Sequence, residues 1–297
     1  MMAKPKCIII LSEKSSGSSA CQNLLARFAN VRHVANTRHG EHETLYWVKA
    51  ASLLGYPQID MLDSEVPIEP QQAKTDLRDL LVENLQNPVL PESDSELVFD
   101  GWRQICLAHT PIFLEKSPHH LCQWSAIELI VEARERILDV DFFIVGLVRN
   151  PMDTLYSQFQ RWRTPPEHLQ YQWGIAYRNL LKLEEVIAEN LLIVRYEDMV
   201  SSIHSLQPLL DFCGAEVGDK DKNFFHNRSV AKYREDRRFG FQLSDEVAEV
   251  AKAYGYSDSD LRNDPWVLWP MYRRASRLGH TAKGYIKKTG RGILDRR

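Results

Sequence analysis

Five consecutive apolar residues, Cys7-Ile8-Ile9-Ile10-Leu11, run straight into the polar turn Ser12 to Ser19, and apolar positions then recur at Cys21, Leu24, Leu25 and Phe28. An unbroken apolar run of this length suits a parallel strand buried on both faces, while spacings of three, four and seven put the later residues on one helical face. The pattern predicts a strand, a turn and a helix. It repeats along the chain. Val31 to Ala35 reads as a short strand, and Arg38 to Trp47 as a junction crowded with charge and histidine that continues as a helix to Leu54. Residues 56–99, rich in proline and acid, carry one amphipathic helix at Thr75 to Asn84 and read as an insertion or lid outside the sheet, the most mobile part of the chain. Further on come a helix at Gly101 to Ala108, a strand at Pro111 to Leu114 stopped by Pro118, and a helix at Gln123 to Glu135. Phe142 to Val148 is the strongest later strand; helices through Ser157 to Trp162 and Trp173 to Glu189 follow, then a strand at Leu191 to Arg195. Alternation of this kind predicts a three-layer α/β/α fold with a mainly parallel central sheet, in which ligands sit beyond the C-terminal ends of the strands. The expected organisation is one domain over residues 1–245, with a variable acidic segment at 55–100, and a helical basic appendage at 246–297.

Composition narrows this. At 297 residues the chain is long enough for one large α/β domain, and its formal charge of −3 points to no nucleic-acid partner. That balance hides an asymmetry, because residues 60–100 contain only Lys74 and Arg78 as bases whereas residues 271–297 are almost purely basic. The basic end (Arg273, Arg274, Arg277, Lys283, Lys287, Lys288, Arg291, Arg296, Arg297) reads as a solvated tail, with docking to an anionic partner or a membrane surface as the alternative. The five cysteines are dispersed without a C-x-x-C pair and read as reduced structural residues. Met1 to Lys6 is too short for a signal peptide and no apolar run is long enough to span a membrane, so the expected compartment is the cytoplasm.

The loaded strand ends carry the chemistry. A turn that opens a helix exposes unpaired N–H groups at the positive end of the helix dipole, and here serine hydroxyls and Lys14 add donors and charge, which makes an anion site. The alternative is a plain helix cap with Ser16 or Ser18 as N-cap. The nucleoside triphosphate loop G-x-x-x-x-G-K-[ST] is absent, since Gly17 is the one glycine, Lys14 precedes it, and Ser18-Ser19 stand where Lys-Ser would be; a magnesium triphosphate site is disfavoured. Other charged clusters follow at His39 to Glu43, Glu115 to His120, and Arg149 to Ser157.

At these residues the chain resembles the sulfotransferases that use 3′-phosphoadenosine 5′-phosphosulfate as donor, a family with a P-loop-like fold. Lys14-Ser15-Ser16-Gly17-Ser18-Ser19 resembles the 5′-phosphosulfate loop, and Val145-Gly146-Leu147-Val148-Arg149-Asn150-Pro151 with Ser157 resembles the 3′-phosphate motif. Leu114-Glu115-Lys116-Ser117-Pro118 resembles the E-K-[ST]-P element of carbohydrate-type members, and Arg195-Tyr196-Glu197-Asp198 adds a weaker match. Ser229-Val230-Ala231-Lys232-Tyr233-Arg234 resembles the late S-x-x-K-x-R stretch near the donor nucleotide, so the resemblance covers roughly residues 7–235. One departure stands out: family loops place a basic residue two positions before the glycine, where this chain has Ser15 and puts Lys14 one step earlier.

The resemblance implies sulfuryl transfer to an acceptor hydroxyl on a carbohydrate or small metabolite, with an amine as the lesser choice and no metal needed. It implies that Ser15, Ser16, Gly17, Ser18 and Ser19 hold the 5′-phosphate, that Lys14 and Lys116 reach the bridging oxygen or sulfuryl group, and that Arg149 and Ser157 hold the 3′-phosphate. Lys232 and Arg234 become further donor contacts. An acceptor hydroxyl needs a general base, and Glu43, just before Tyr46-Trp47, resembles the glutamate of carbohydrate-type members; Glu41, His42, His39, His119 and His120 compete for that role. The acidic segment favours a neutral or cationic acceptor over a polyanion. Two rival readings are a phosphotransferase with a degenerate phosphate loop and a nucleotide-binding module without turnover.

Overall fold

Strand order decides where a ligand can sit. The computed structural model describes residues 4–280 apart from 28–29, 188, 217, 219–223, 264–267, 269–270 and 273. Its strands β1 (Lys6–Ser12), β2 (Val31–Arg32), β3 (Ile112–Lys116), β4 (Asp141–Val148) and β5 (Leu191–Arg195) form one sheet in the order β2-β3-β1-β4-β5. Every pairing is parallel. Residues Cys7 to Leu11 are completely buried, as the unbroken apolar run requires of a central strand with helices on the flanks. After β1 the chain fills one side of the sheet with β2 and β3 and then crosses to β4 on the other. The order therefore reverses beside β1, and the crevice at that switch point lies beyond the ends of β1, β3 and β4.

Helices α1 (Ser18–Leu25), α2 (Tyr46–Leu53), α3 (Pro70–Asn84), α4 (Asp94–Ala108) and α5 (Trp124–Arg136) connect the first four strands; α6 (Pro151–Trp162) and α7 (Pro166–Val186) lead to β5. After β5 come α8 (Tyr196–Ser201), α9 (Gln207–Cys213) and α10 (Asp245–Ala253). The acidic stretch read as a lid builds α3 and α4, and α3 packs on both α2 and α4, with Leu77 and Leu81 of α3 and Leu97 and Trp102 of α4 completely buried. Asp76 of α3 is buried against Lys49 of α2 at 3.4 Å and also pairs with Arg38. Burial pulls the Lys49 amine below its ordinary value, against the opposing pull of Asp76.

Two boundaries move for local reasons. The single helix expected up to Leu54 starts only at Tyr46, because Glu41, His42 and Leu45 all take left-handed φ values (61°, 61° and 53°) that a helix cannot accommodate. β2 shrinks to two residues, paired only with the start of β3.

The chain divides into two compact units, Met1–Arg149 with Gln172–Asn227, and Asn150–Tyr171 with Arg228–Arg297. The sheet belongs to the first. The second has its own core of Met152, Leu155, Phe159, Leu169, Tyr233, Phe239 and Phe241. All five cysteines are buried free thiols. Among the described residues no helix is long and apolar enough to cross a membrane.

Candidate active site

At the end of β1 the chain turns through Glu13 to Gly17 and enters α1. Ser16 N–H closes the turn on the Glu13 carbonyl at 3.2 Å, and Ser15 (φ 65°) and Gly17 (φ 95°) supply two left-handed residues in three. Gly17 is itself the N-cap of α1, and no side chain caps the helix, so neither Ser16 nor Ser18 plays that part. The first N–H groups of α1 are thus left for an outside acceptor. Gly17 cannot be replaced cheaply, because a Cβ there would collide with the Tyr196 ring beyond β5.

The loop is pinned from beneath by Tyr177 of α7. Its hydroxyl donates to the Leu147 carbonyl on β4 at 3.0 Å, and with its single proton so used it accepts from Ser16 Oγ at 2.9 Å and from Glu13 N–H at 3.4 Å. Burial pushes the Tyr177 phenol well up, so it stays neutral. The buried Glu13 carboxylate accepts from the Cys122 thiol at 3.0 Å, and Lys14 Nζ donates to the Asp63 carbonyl at 3.3 Å.

Lys116 ends β3 with a side chain only 2% exposed, and its ammonium meets Glu43 Oε1 at 2.8 Å, Glu41 Oε2 at 3.2 Å and Ser19 Oγ at 3.3 Å. Ser19 also donates to Glu41 Oε2. Behind this cluster the next residues are clasped as well: Thr44 Oγ1 donates to Glu115 Oε1 at 2.9 Å, and Leu45 N–H donates to Ser117 Oγ at 3.0 Å. Ser117 in turn donates to Glu115 at 2.5 Å, and His120 Nε2 lies 3.4 Å from the same carboxylate. Burial alone would push the Glu115 carboxyl up; His120, Ser117 and Thr44 outweigh it and leave it below its ordinary value.

The other candidate bases go elsewhere. His39 pairs with Glu65 at 2.8 Å, and His42 stacks on His33 with ring centroids 3.7 Å apart. His119 is buried with an unpartnered Nδ1; burial, with the nearby charges of Lys14, His120, His39 and Lys116, holds its imidazole well below the ordinary value.

Arg149, just past β4, is buried. Its guanidinium donates to the Ser15 carbonyl at 2.8 Å and lies over the Tyr196 ring, 4.6 Å from the centroid, while its own carbonyl accepts from Trp173 Nε1 at 3.1 Å. Trp173 and Tyr177, one turn apart on α7, hold the Arg149 backbone and the serine loop respectively. The sequence shows them only as two aromatics on one helical face, a spacing that an ordinary core helix shares.

In the second unit, Ser157 is half-buried on α6, and Lys232 lines a cavity of about 520 Å³ with Tyr156, Arg228, Arg237 and Arg238. None of those three arginines carries a sequence signal beyond its charge. Arg234 bonds instead to the Ser259 carbonyl at 2.9 Å and to Asp260 at 3.1 Å. From the basic end, Arg274 and Arg277 line a cavity of about 350 Å³ with Phe159, Arg163 and His168. Arg273, Lys283, Lys287, Lys288, Arg291, Arg296 and Arg297 lie outside the described residues.

In the first unit, then, an uncapped helix start, a buried lysine and a buried arginine meet at one serine loop, an arrangement able to bind an oxyanion and neutralise charge on it. Two solved structures resemble the chain. One is a sulfotransferase domain from the curacin biosynthetic pathway (TM-score 0.53, 17% identity, 86% of this chain and 99% of that one). The other is the sulfotransferase domain of the olefin synthase of Synechococcus PCC 7002 (TM-score 0.55, 17% identity, 86% and 97%). At such identities the likeness is one of fold. No curated protein matches the sequence. The model of the sulfotransferase family, however, matches residues 5–219, and the chain belongs to that family.

Proposed function

We propose that the chain transfers a sulfuryl group from 3′-phosphoadenosine 5′-phosphosulfate to a hydroxyl of a carbohydrate or small metabolite. One observation carries this reading: both candidate anion-binding cations touch the same loop, Lys116 at Ser19 and Arg149 at Ser15. The loop fits a phosphate or sulfuryl oxyanion, since its helix start has no side-chain cap and left-handed residues at Ser15 and Gly17 are of the kind that anion-binding turns use.

On this reading the N–H groups of Gly17 to Ser19, with the Ser18 and Ser19 hydroxyls, hold the 5′-phosphate, while the Ser16 N–H stays on the Glu13 carbonyl. Lys116 and Lys14 neutralise charge growing on the bridging oxygen, and Arg149 and Ser157 take the 3′-phosphate, the former through its planar fork. The donor supplies an activated sulfuryl group, and the protein's part is in-line positioning and charge neutralisation. Glu43 accepts the acceptor's proton. It is aimed by Lys116 at 2.8 Å and held by its neighbour Thr44, and as Lys116 turns to the developing negative charge Glu43 is left to take that proton. The resemblance alone supports Lys232 as a further donor contact, whereas Arg234 bonds to Ser259 and Asp260 within its own unit.

Calorimetric titration with 3′-phosphoadenosine 5′-phosphate tests the reading. Wild type is expected to bind one equivalent, indifferent to ATP with magnesium, and Arg149→Ala to lose about 1.5–3 kcal/mol, roughly ten- to a hundredfold in Kd. No binding, or equal preference for ATP, would overturn it.

A further inference from the structure

Ser19 and Lys116 converge on a single carboxylate oxygen. Ser19 Oγ donates to Glu41 Oε2, Lys116 Nζ lies 3.2 Å from that oxygen, and the Gln22 amide reaches the Glu41 carbonyl at 3.5 Å. Lys116 does not need this partner to balance its charge. Glu43 already pairs with it at 2.8 Å and is 17% exposed, whereas Glu41 is 49% exposed. A second carboxylate on a paired ammonium adds repulsion between the two acids. The chain nevertheless places it there through a turn whose Glu41 and His42 both take φ 61°, a conformation with a steric cost for residues with a Cβ. What Glu41 gains is the seat itself: a hydroxyl, an ammonium and the positive end of α1, all of which suit an anion.

We propose that Glu41 is an internal competitor for the donor's oxyanion. Its carboxylate occupies the place that Ser19 and Lys116 offer to a phosphate or sulfuryl oxygen, and donor binding drives it into solvent. This rests on the reading of the loop as the donor site. The turn is built for such a swing. Gly40 has open space around it on one side, and on the other Thr44 is pinned to Glu115, so Glu41 leaves while Glu43 stays beside the reacting centre. The seat resists small stray anions, because only a ligand with further contacts repays the displacement. The apparent Kd exceeds the intrinsic one by the inverse of the fraction of molecules in which the seat is vacant.

The test is a titration of the full chain with 3′-phosphoadenosine 5′-phosphate at fixed ionic strength. Glu41→Gln and Glu41→Ala are expected to bind at least fivefold tighter than wild type. Glu65→Gln, which removes a nearby exposed carboxylate paired with His39, is expected to change Kd less than twofold. Unchanged or weaker binding in both Glu41 variants overturns the proposal, and equal tightening in Glu65→Gln reduces the effect to net charge and overturns it too. Hydrogen exchange of wild type provides a readout that needs no variant: amides of residues 39–43 are expected to exchange faster with the ligand bound, and slower or unchanged exchange contradicts displacement. Failure of wild type to bind at all defeats the donor reading instead, so the two failures are distinguishable.

Discussion

At Thr44 one hydroxyl serves two partners, donating to Glu115 Oε1 at 2.9 Å and accepting from Tyr46 N–H at 3.1 Å. It thereby fixes the residue next to Glu43 onto the residue next to Lys116. Thr44→Val keeps the shape and removes both bonds, leaving a fully buried carboxylate whose other oxygen already lacks a hydrogen-bond partner. The expected cost is about 1–3 kcal/mol at neutral pH, a fall of roughly 2–10 °C in Tm by scanning calorimetry, with Thr44→Ser close to wild type. The sign with pH follows from Glu115, whose folded value is depressed. Its contribution is present above the ordinary carboxylate range and is lost as pH falls through the lower, folded value, so the Thr44→Val penalty should shrink only in strong acid. A penalty that already vanishes near pH 6 would mean that Thr44 is not bonded to an ionised Glu115. Glu43, Lys116 and Glu115 stand out in the sequence by residue type and motif. The pairing of Glu43 with Lys116 does not, because it spans 73 positions and depends on how the turn before α2 meets the end of β3.

Among the elements, α7 sets the geometry of the loops through its closeness to β4. Gly146 is where the two approach: a Cβ on it would lie 2.5 Å from Leu180 Cδ1, and Leu180 is completely buried. Gly146→Ala therefore overpacks this contact, at about 1–3 kcal/mol, and Leu180→Ala alone leaves a cavity worth about 2–5 kcal/mol. In the double variant the new methyl occupies part of the space vacated by Leu180, so chemical denaturation should give a cost clearly below the sum. Strict additivity would show that the two residues do not share the contact. The central strands were legible because a strand buried on both faces must be an apolar run, and their loaded ends followed from the polar residues that close each run. Helix starts were less so. α4 begins at Asp94 with Ser93 as its cap, and α3 at Pro70 with Glu69 as its cap, both ahead of the expected Gly101 and Thr75, because the capping signals lie before the first strongly apolar positions. The helix after the 38–47 junction starts late for the opposite reason: the residue types there do not forbid a helix, and Glu41, His42 and Leu45 are left-handed where Glu41 meets Lys116 and Ser19 and Leu45 meets Ser117.

For the molecule as a whole, acid sensitivity follows from protons that the folded chain refuses. His119, His109 and His42 all have imidazoles held below the ordinary value, first by burial, and His119, the most deeply buried of them, is held well below it, with Lys14, His120, His39 and Lys116 adding positive charge around it. Unfolding returns each to about 6.5, so below that pH the unfolded chain binds protons that the native one does not. Stability then rises with pH: it is complete above the unfolded value and is lost as pH falls from there toward the folded value. Each fully refused proton contributes a slope of up to about 1.4 kcal/mol per pH unit. Scanning calorimetry between pH 7.5 and 5.5 should therefore show Tm falling on the acid side, and His119→Gln should flatten the fall by about one proton while lowering stability at pH 7.5 much less. The contrary result is equally informative. An unchanged slope in His119→Gln would mean that the native protein takes up the proton at His119 and that its imidazole is not held down.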